Sequence, residues 1–157
     1  MNECLIYFKF SILENKERIK TLLLDSQEYL MVNKISSVFK RKKQTASSLE
    51  EMQEFVIRVN TKYEVEELFR RLNIREHKAK LSYHVELLAF NNEIKLIPNI
   101  ALPHPSLFLD PLVLHCSAEI WPEYIHPVNK LSLRKSDIET NMELFEFLYQ
   151  GKFFLDP

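Results

Sequence analysis

The sequence predicts an α+β fold in which strands and helices alternate along the chain. Several segments alternate apolar and other residues with the period of two that is typical of strands. Between them lie segments whose apolar residues recur every three or four positions, as on one face of a helix. Taken in order they give β-α-β-β-α-β, the ferredoxin-like arrangement, in which helices pack on one face of an antiparallel sheet. We expect a C-terminal helical extension to follow.

The first strand and helix are predicted from residues 4–25. Residues 4–10 alternate with both faces mostly apolar, which favours a central strand. The S-x-x-E spacing at residues 11–14 is that of a capping box and predicts the start of a helix. Four apolar residues share one face of that helix: Ile12, Ile19, Leu22 and Leu23.

The next segments predict two antiparallel strands. Residues 31–39 are rich in β-forming residues, and residues 54–60 alternate apolar and polar side chains. The basic run at residues 40–43 and the polar residues to about Ser48 predict a loop between them. We therefore expect these two strands to be neighbours in the sheet.

A second helix and a further strand follow. Residues 61–64 form another capping box, ahead of an apolar helical face made of Val65, Leu68, Phe69 and Leu72. Residues 82–90 alternate as a strand with an apolar face of Tyr83, Val85, Leu87 and Ala89. His84 and Glu86 then lie together on the opposite face, where their side chains can cooperate.

The last third of the sequence predicts loops and one helix. Residues 91–92 indicate a turn, and residues 93–97 a short edge strand. Five prolines between residues 103 and 127 indicate a loop with short helical turns. A third capping box at residues 136–139 predicts the C-terminal helix, which ends at Gly151. Its apolar residues are Ile138, Met142, Phe145 and Tyr149.

Composition excludes several classes of function. With 21 Lys and Arg against 22 Asp and Glu, the chain has no overall field that attracts nucleic acid or anionic membranes. No apolar run approaches the roughly 18 residues of a membrane span. A single glycine, Gly151, excludes Walker A, dinucleotide-binding and nucleophile-elbow motifs. Cys4 and Cys116 form no metal motif and no disulfide framework, which favours a reducing, cytoplasmic compartment.

Four short motifs in the proline-rich stretch resemble those of one enzyme family. They are P-H-P at 103–105, an apolar L-V-L at 112–114, E-I-x-P at 119–122 and H-P at 126–127. Their order and spacing are similar to those of the 6-hydroxymethyl-7,8-dihydropterin pyrophosphokinases (HPPK) of folate biosynthesis.

Two upstream segments extend the resemblance over nearly the whole chain. Residues 36–39 are similar to the family's S-S-x-Y strand, and residues 83–86 align without a gap on its I-D-L-D strand. The resemblance therefore implies a single HPPK-like domain over residues 1–157, with the family's ferredoxin-like fold.

The resemblance implies a pyrophosphoryl transfer. In the family the hydroxymethyl oxygen of the pterin attacks the β-phosphorus of ATP and AMP leaves, while paired aspartates hold Mg²⁺ on the triphosphate. Those catalytic and metal-binding positions are His84 and Glu86 here. A neutral imidazole is a poor ligand for Mg²⁺ and suits a transition metal better, so the metal clamp is impaired. The alternative is that both residues are solvated on the polar face of a strand.

The nucleotide contacts of the family are partly kept. The resemblance assigns phosphate contacts to His104, which matches its motif, and to Lys80, which lies beside Leu81 in the place of a family arginine. A second family arginine is replaced by Asp110, which reverses the charge. The alternative for His104 is a turn residue that bonds the backbone.

The pterin contacts correspond to Leu112, in the place of a stacking aromatic residue, and to Glu54, in the place of an asparagine. We expect transfer to be weak or absent, because loss of one charge-stabilising group typically costs roughly 10²–10³ in rate. The alternative is a catalytically silent homologue that binds a nucleotide, a pterin or a protein partner. The resemblance implies Mg²⁺, ATP and a dihydropterin as ligands. We also expect a monomer that, from its charge and composition, binds neither nucleic acid nor membrane.

Overall fold

The computed structural model describes residues 1–42, 51–78 and 83–156. The order of strands and helices begins with β1 (Asn2–Ser11), α1 (Lys16–Asp25), β2 (Met31–Ile35), β3 (Val38–Arg41), β4 (Met52–Thr61), α2 (Val65–Lys78) and β5 (Tyr83–Phe90). It continues with β6 (Lys95–Ile97), β7 (Ile100–Leu102), α3 (Ser106–Leu109), α4 (Pro111–Ile120), α5 (Leu133–Asp137) and β8 (Phe145–Tyr149).

The main sheet has the strand order β5-β1-β4-β3-β8, and β2 also pairs with β4. All of these pairs are antiparallel, including the two that join β2 and β3 to β4. β1 lies between β4 and β5, as predicted for a central strand. The α+β class and its ferredoxin-like arrangement are confirmed.

Helices cover both faces of this sheet, whereas the sequence predicts helices on one face. α1 and α2 bury Ile19 and Leu68 in the same core as Ile6 of β1. On the other face, α4 buries Leu112 in a second core with Leu5 of β1. Because β1 is apolar on both faces, each face needs an apolar layer to cover it.

The proline-rich stretch contains α4, a ten-residue helix, where the sequence predicts only short helical turns. Pro111 is the first residue of α4, where its missing N–H costs nothing and its fixed φ suits a helix. Asp110 caps α4, since its side chain accepts a hydrogen bond from the N–H of Leu112 at 3.1 Å.

Two predicted helix starts are wrong because β1 and β4 are longer than their alternating patterns indicate. Ser11 ends β1 and does not cap a helix; α1 begins at Lys16, capped by the side chain of Asn15. Thr61 likewise ends β4, and α2 begins at Val65. Pairing along the full length of β1 and β4 outweighs the local capping signals.

The strand predicted over residues 31–39 is interrupted at Ser36 and Ser37. The Ser37 N–H and hydroxyl donate to a glutamate of α4, at 2.9 and 2.7 Å, instead of to the sheet. Beyond the interruption β3 includes Arg41, which the sequence assigns to a loop. The rest of that predicted loop, residues 43–48, lies outside the described residues.

β5 keeps its predicted faces only in its first half. The register between β1 and β5 shifts by one residue near Leu88, so that Ala89 packs with α4 and not on the face predicted by strict alternation. His84 and Glu86 precede the shift and lie together on the predicted face.

The segment after β5 forms a separate hairpin. The turn at residues 91–92 is confirmed, and Asn91 has a φ of 50°. Within the described part of the chain β6 pairs with β7 and with no strand of the main sheet, so it is not an edge of that sheet. No helix in the described ranges is long and apolar enough to cross a membrane.

The helix predicted over residues 136–149 is wrong. The extension contains the short helix α5 and then β8, which pairs with β3 and adds a strand to the main sheet. Gly151 does not end a helix. A Cβ there would lie 1.9 Å from the carbonyl oxygen of Ser36, so close approach of two backbones explains the glycine.

Candidate functional site

His84 and Glu86 of β5 form the centre of the candidate site. The Nε2 of His84 lies 2.8 Å from Oε1 of Glu86, so the two side chains are hydrogen-bonded to each other. The ring of Tyr7, on the neighbouring β1, contacts the His84 ring edge to face at a centroid distance of 6.5 Å. The predicted cooperation of these two side chains is therefore present in the structure.

His104 faces Glu86 from the loop between β7 and α3. Its Nδ1 accepts a hydrogen bond from the Ser106 N–H at 3.1 Å, so the neutral ring carries its hydrogen on Nε2. That Nε2 lies 3.6 Å from Oε2 of Glu86. Its backbone N–H also donates to the carbonyl oxygen of Leu88 at 2.8 Å, which fixes the loop against β5. Both interpretations of His104, a turn residue and a site residue, are compatible with this geometry.

A cleft of about 240 Å³ opens beside these three side chains. Its walls combine apolar and polar side chains from α2, β5, the β6–β7 hairpin and the loop after β7. The lining residues are Phe69, Asn73, His84, Val85, Glu86, Leu87, Asn99, Ile100, Ala101 and His104.

The donor set at this cleft does not fit a pair of Mg²⁺ ions. Mg²⁺ prefers carboxylate and water oxygens in octahedral geometry, and here one imidazole and one carboxylate hydrogen-bond each other. Among the described residues, no group of three or more His, Cys, Asp or Glu side chains could hold a metal ion. No catalytic step through Mg²⁺ follows from this arrangement.

A second polar network surrounds Glu54, which is only 2% exposed. Its carboxylate accepts hydrogen bonds from the Tyr7 hydroxyl and from Arg41, whose Nε lies 2.9 Å from Oε2. An Nη of Arg41 also donates to Asp110 at 2.7 Å. Burial and the charge of Glu54 raise the pKa of Tyr7. Desolvation opposes the charge of Arg41, but its bonds to both carboxylates outweigh it and raise the guanidinium pKa.

Arg41 is not among the predicted site residues, because the basic run that contains it indicates a loop. Phe39, two residues before Arg41 on β3, pairs with Glu54 in the sheet. Arg41 therefore lies diagonally across from the Glu54 carboxylate. The negative charge of Asp110 is therefore paired with the positive charge of Arg41. Arg41 itself is hydrogen-bonded to two carboxylates, those of Glu54 and Asp110. Lys9 was also missed: its backbone pairs with both His84 and Glu54, which places a cation at the centre of this sheet region.

The predicted pterin contacts lie away from the cleft. Leu112 is fully buried in the core between the sheet and α4. Glu54 is enclosed by the Arg41 network. Neither lines the cleft beside His84, and Lys80 lies outside the described residues.

Two other titratable groups have structural partners. His115 bonds Asp137 through Nδ1 at 2.9 Å. His126 accepts hydrogen bonds at Nδ1 from the N–H groups of Val128 and Asn129, at 3.2 and 3.3 Å. These bonds hold the loop that contains the H-P motif in place.

We expect His126 to make stability depend on pH. Burial lowers its pKa below 6.5, so between the two pKa values the unfolded chain binds a proton that the folded chain does not. The free energy of unfolding should therefore decrease as pH falls from about 7 to about 5, by at most about 1.4 kcal/mol per pH unit from this group. Urea unfolding of the wild type and of His126→Asn measures it. The variant should show a shallower dependence, and identical slopes would contradict this assignment.

The fold and site define a class: an α+β domain with the fold of the dihydropterin pyrophosphokinases. Among solved structures, the chain is similar to HPPK-DHPS of Plasmodium falciparum with SDX-DHP, with a TM-score of 0.71 and 14% identity over 95% of this chain and 47% of that one. The same protein with pteroate gives a TM-score of 0.73 and 13% identity, over 87% of this chain and 42% of that one. The HPPK-like fold implied by the motifs is thus confirmed.

The chain spans less than half the length of these matched chains. No protein-family model matches it, and no curated protein matches it. At such low identity the structural likeness establishes the fold and leaves activity to be argued from the site.

Proposed function

We propose that this protein is a divergent HPPK homologue that binds a nucleotide in the cleft beside His84 and has weak or absent pyrophosphoryl transfer. The observation that carries the proposal is the 2.8 Å hydrogen bond between His84 and Glu86 at the positions of the family's paired aspartates. Two short carboxylates would leave four oxygens for metal ions. Here the imidazole contributes none, and it competes with a metal for the remaining carboxylate.

Nucleotide binding is supported by the shape and chemistry of the cleft. Phe69, Val85 and Ile100 supply apolar walls suited to a base, and Asn73 and Asn99 supply amide donors and acceptors at its rim. Nε2–H of His104 lies 3.6 Å from Oε2 of Glu86, and a phosphate oxygen that takes the place of this carboxylate would accept it. Lys80 remains our prediction for a second phosphate contact.

Pterin binding is supported by the resemblance alone. Leu112 and Glu54 remain the predicted contacts, and both are buried, so a pterin reaches them only if the packing between β4 and α4 opens. ATP with Mg²⁺ and a dihydropterin are the ligands to test for the divergent enzyme. A protein partner is the alternative for a silent homologue. We also propose a single cytoplasmic domain over residues 1–157 that acts as a monomer.

Calorimetry with a non-hydrolysable ATP analogue tests nucleotide binding. The analogue should bind the wild type, and His104→Ala should weaken binding about tenfold, the effect of losing one hydrogen bond to a charged group. His115→Ala is the matched control, because His115 bonds Asp137 and does not line the cleft. Absence of binding to the wild type would contradict the nucleotide site. Ordered binding of the analogue and then the dihydropterin would instead favour a working enzyme.

A further inference from the structure

A second cavity, of about 290 Å³, lies next to His104 and outside the cleft described above. It is formed by the P-H-P segment, α3 and the loop after α4. The lining residues are Pro103, His104, Pro105, Phe108, Leu109, His126, Val128 and Asn129. The walls are predominantly apolar, and none of the lining residues is a carboxylate, lysine or arginine.

His126 is the unusual member of this lining. It is only 6% exposed, and its ring packs against Phe108 at a centroid distance of 6.3 Å. Because Nδ1 accepts two backbone N–H bonds, the neutral ring carries its hydrogen on Nε2. Among the described residues no side chain or backbone group accepts from Nε2. Nε2 of His126 is not fully enclosed, since the fully buried side-chain atoms without a partner in the described residues are Nε of Arg58 and Oγ of Ser117. A ligand that covers this N–H therefore has to supply an acceptor in place of water, or leave the donor unpaired.

We propose that this cavity binds a small, uncharged and largely apolar molecule whose carbonyl oxygen or aromatic nitrogen accepts a hydrogen bond from Nε2–H of His126. The apolar walls exclude an anion or a cation, since no opposite charge lines the cavity to offset desolvation. Burial lowers the pKa of His126 and so keeps the ring neutral. Phe108, Leu109 and Val128, which are exposed at the rim, would be covered by the ligand, and this burial supplies most of the binding energy.

The test uses two probes of nearly the same shape, acetophenone and α-methylstyrene, of which only acetophenone has an acceptor. Both are titrated into ¹⁵N-labelled protein up to their solubility limits and followed by NMR. We expect acetophenone to shift the amide signals of residues 108, 109 and 128 and the Nε2–H signal of His126. His126→Asn keeps an acceptor for the two backbone N–H groups but has no Nε2–H.

The affinity for acetophenone should fall about fivefold or more in His126→Asn, while that for α-methylstyrene should change less than about twofold. Leu109→Ala should weaken both probes. Its control, Leu13→Ala, should weaken neither, since Leu13 is 86% exposed and lies outside the cavity, whereas Leu109 is 71% exposed at its rim. If His126→Asn fails to fold, two results still test the proposal: the shift of the Nε2–H signal in the wild type, and the comparison of Leu109→Ala with Leu13→Ala. No shift at the cavity, or equal losses for both probes in His126→Asn, would overturn the proposal.

Discussion

Replacing Arg41 with alanine should destabilise the protein by about 2 kcal/mol, less than the roughly 3–5 kcal/mol seen for a fully buried ion pair, because the Arg41 side chain is 45% exposed. Glu54, which is 2% exposed in the wild type, then keeps the Tyr7 hydroxyl as its side-chain donor among the described residues. Asp110 also loses its charged partner. Chemical denaturation at neutral pH measures the change.

The matched control is Lys40→Ala, on the same strand and next in sequence. Lys40 pairs with Glu51 and Glu146 at the surface, at 3.2 and 3.4 Å, and such pairs contribute little, so we expect a much smaller loss. Adding Glu54→Gln to Arg41→Ala should recover part of the stability, because a neutral amide is cheaper to bury than an unpaired carboxylate. Equal losses for Arg41→Ala and Lys40→Ala would show that the network does not stabilise the fold.

AMP release from ATP, in the presence of Mg²⁺ and 6-hydroxymethyl-7,8-dihydropterin, should be at least roughly 10²–10³ slower than in an active HPPK. The physical reason is the His84–Glu86 pair, which offers one carboxylate where two are needed to neutralise the triphosphate. Aspartates at both positions, His84→Asp with Glu86→Asp, should restore part of the Mg²⁺ binding. Little activity should return with it, since Arg41 and Asp110 remain bonded to each other.

Glu86→Ala separates slow catalysis from a contaminating activity, and Glu139→Ala, at an exposed site away from the cleft, is its control. Any residual rate that belongs to this site should fall in Glu86→Ala and persist in Glu139→Ala. A residual rate unchanged in Glu86→Ala would remove Glu86 from the mechanism.

The parts of the fold that follow from local patterns were predictable. β1 has apolar residues on both faces, which indicated a central strand, and α2 has a clear helical face. The C-terminal helix was wrong for a physical reason. Phe145 and Tyr149 have a spacing that suits a helix, but residues 145–149 pair with β3 more than 100 positions earlier, and a local pattern carries no information about that pairing.

The candidate site likewise has one part that follows from a local pattern and one part that depends on long-range pairing. The shared face of His84 and Glu86 follows from alternation along one strand, and the structure places them in contact. The Glu54 network depends on the register between β3 and β4 and on the position of Asp110 at the start of α4, both of which are long-range features. No sequence spacing relates Arg41 to Asp110. The ion pair between them, at the position that the resemblance aligns with a family arginine, could therefore not be predicted.

A crystal structure with a non-hydrolysable ATP analogue and Mg²⁺ tests the central claim most directly, because it locates both the nucleotide and the metal. We predict the base between Phe69 and Ile100, the His84–Glu86 hydrogen bond intact, and no pair of metal ions on β5. Two Mg²⁺ ions bound at residues 84 and 86, with oxygen ligands at about 2.1 Å, would contradict it.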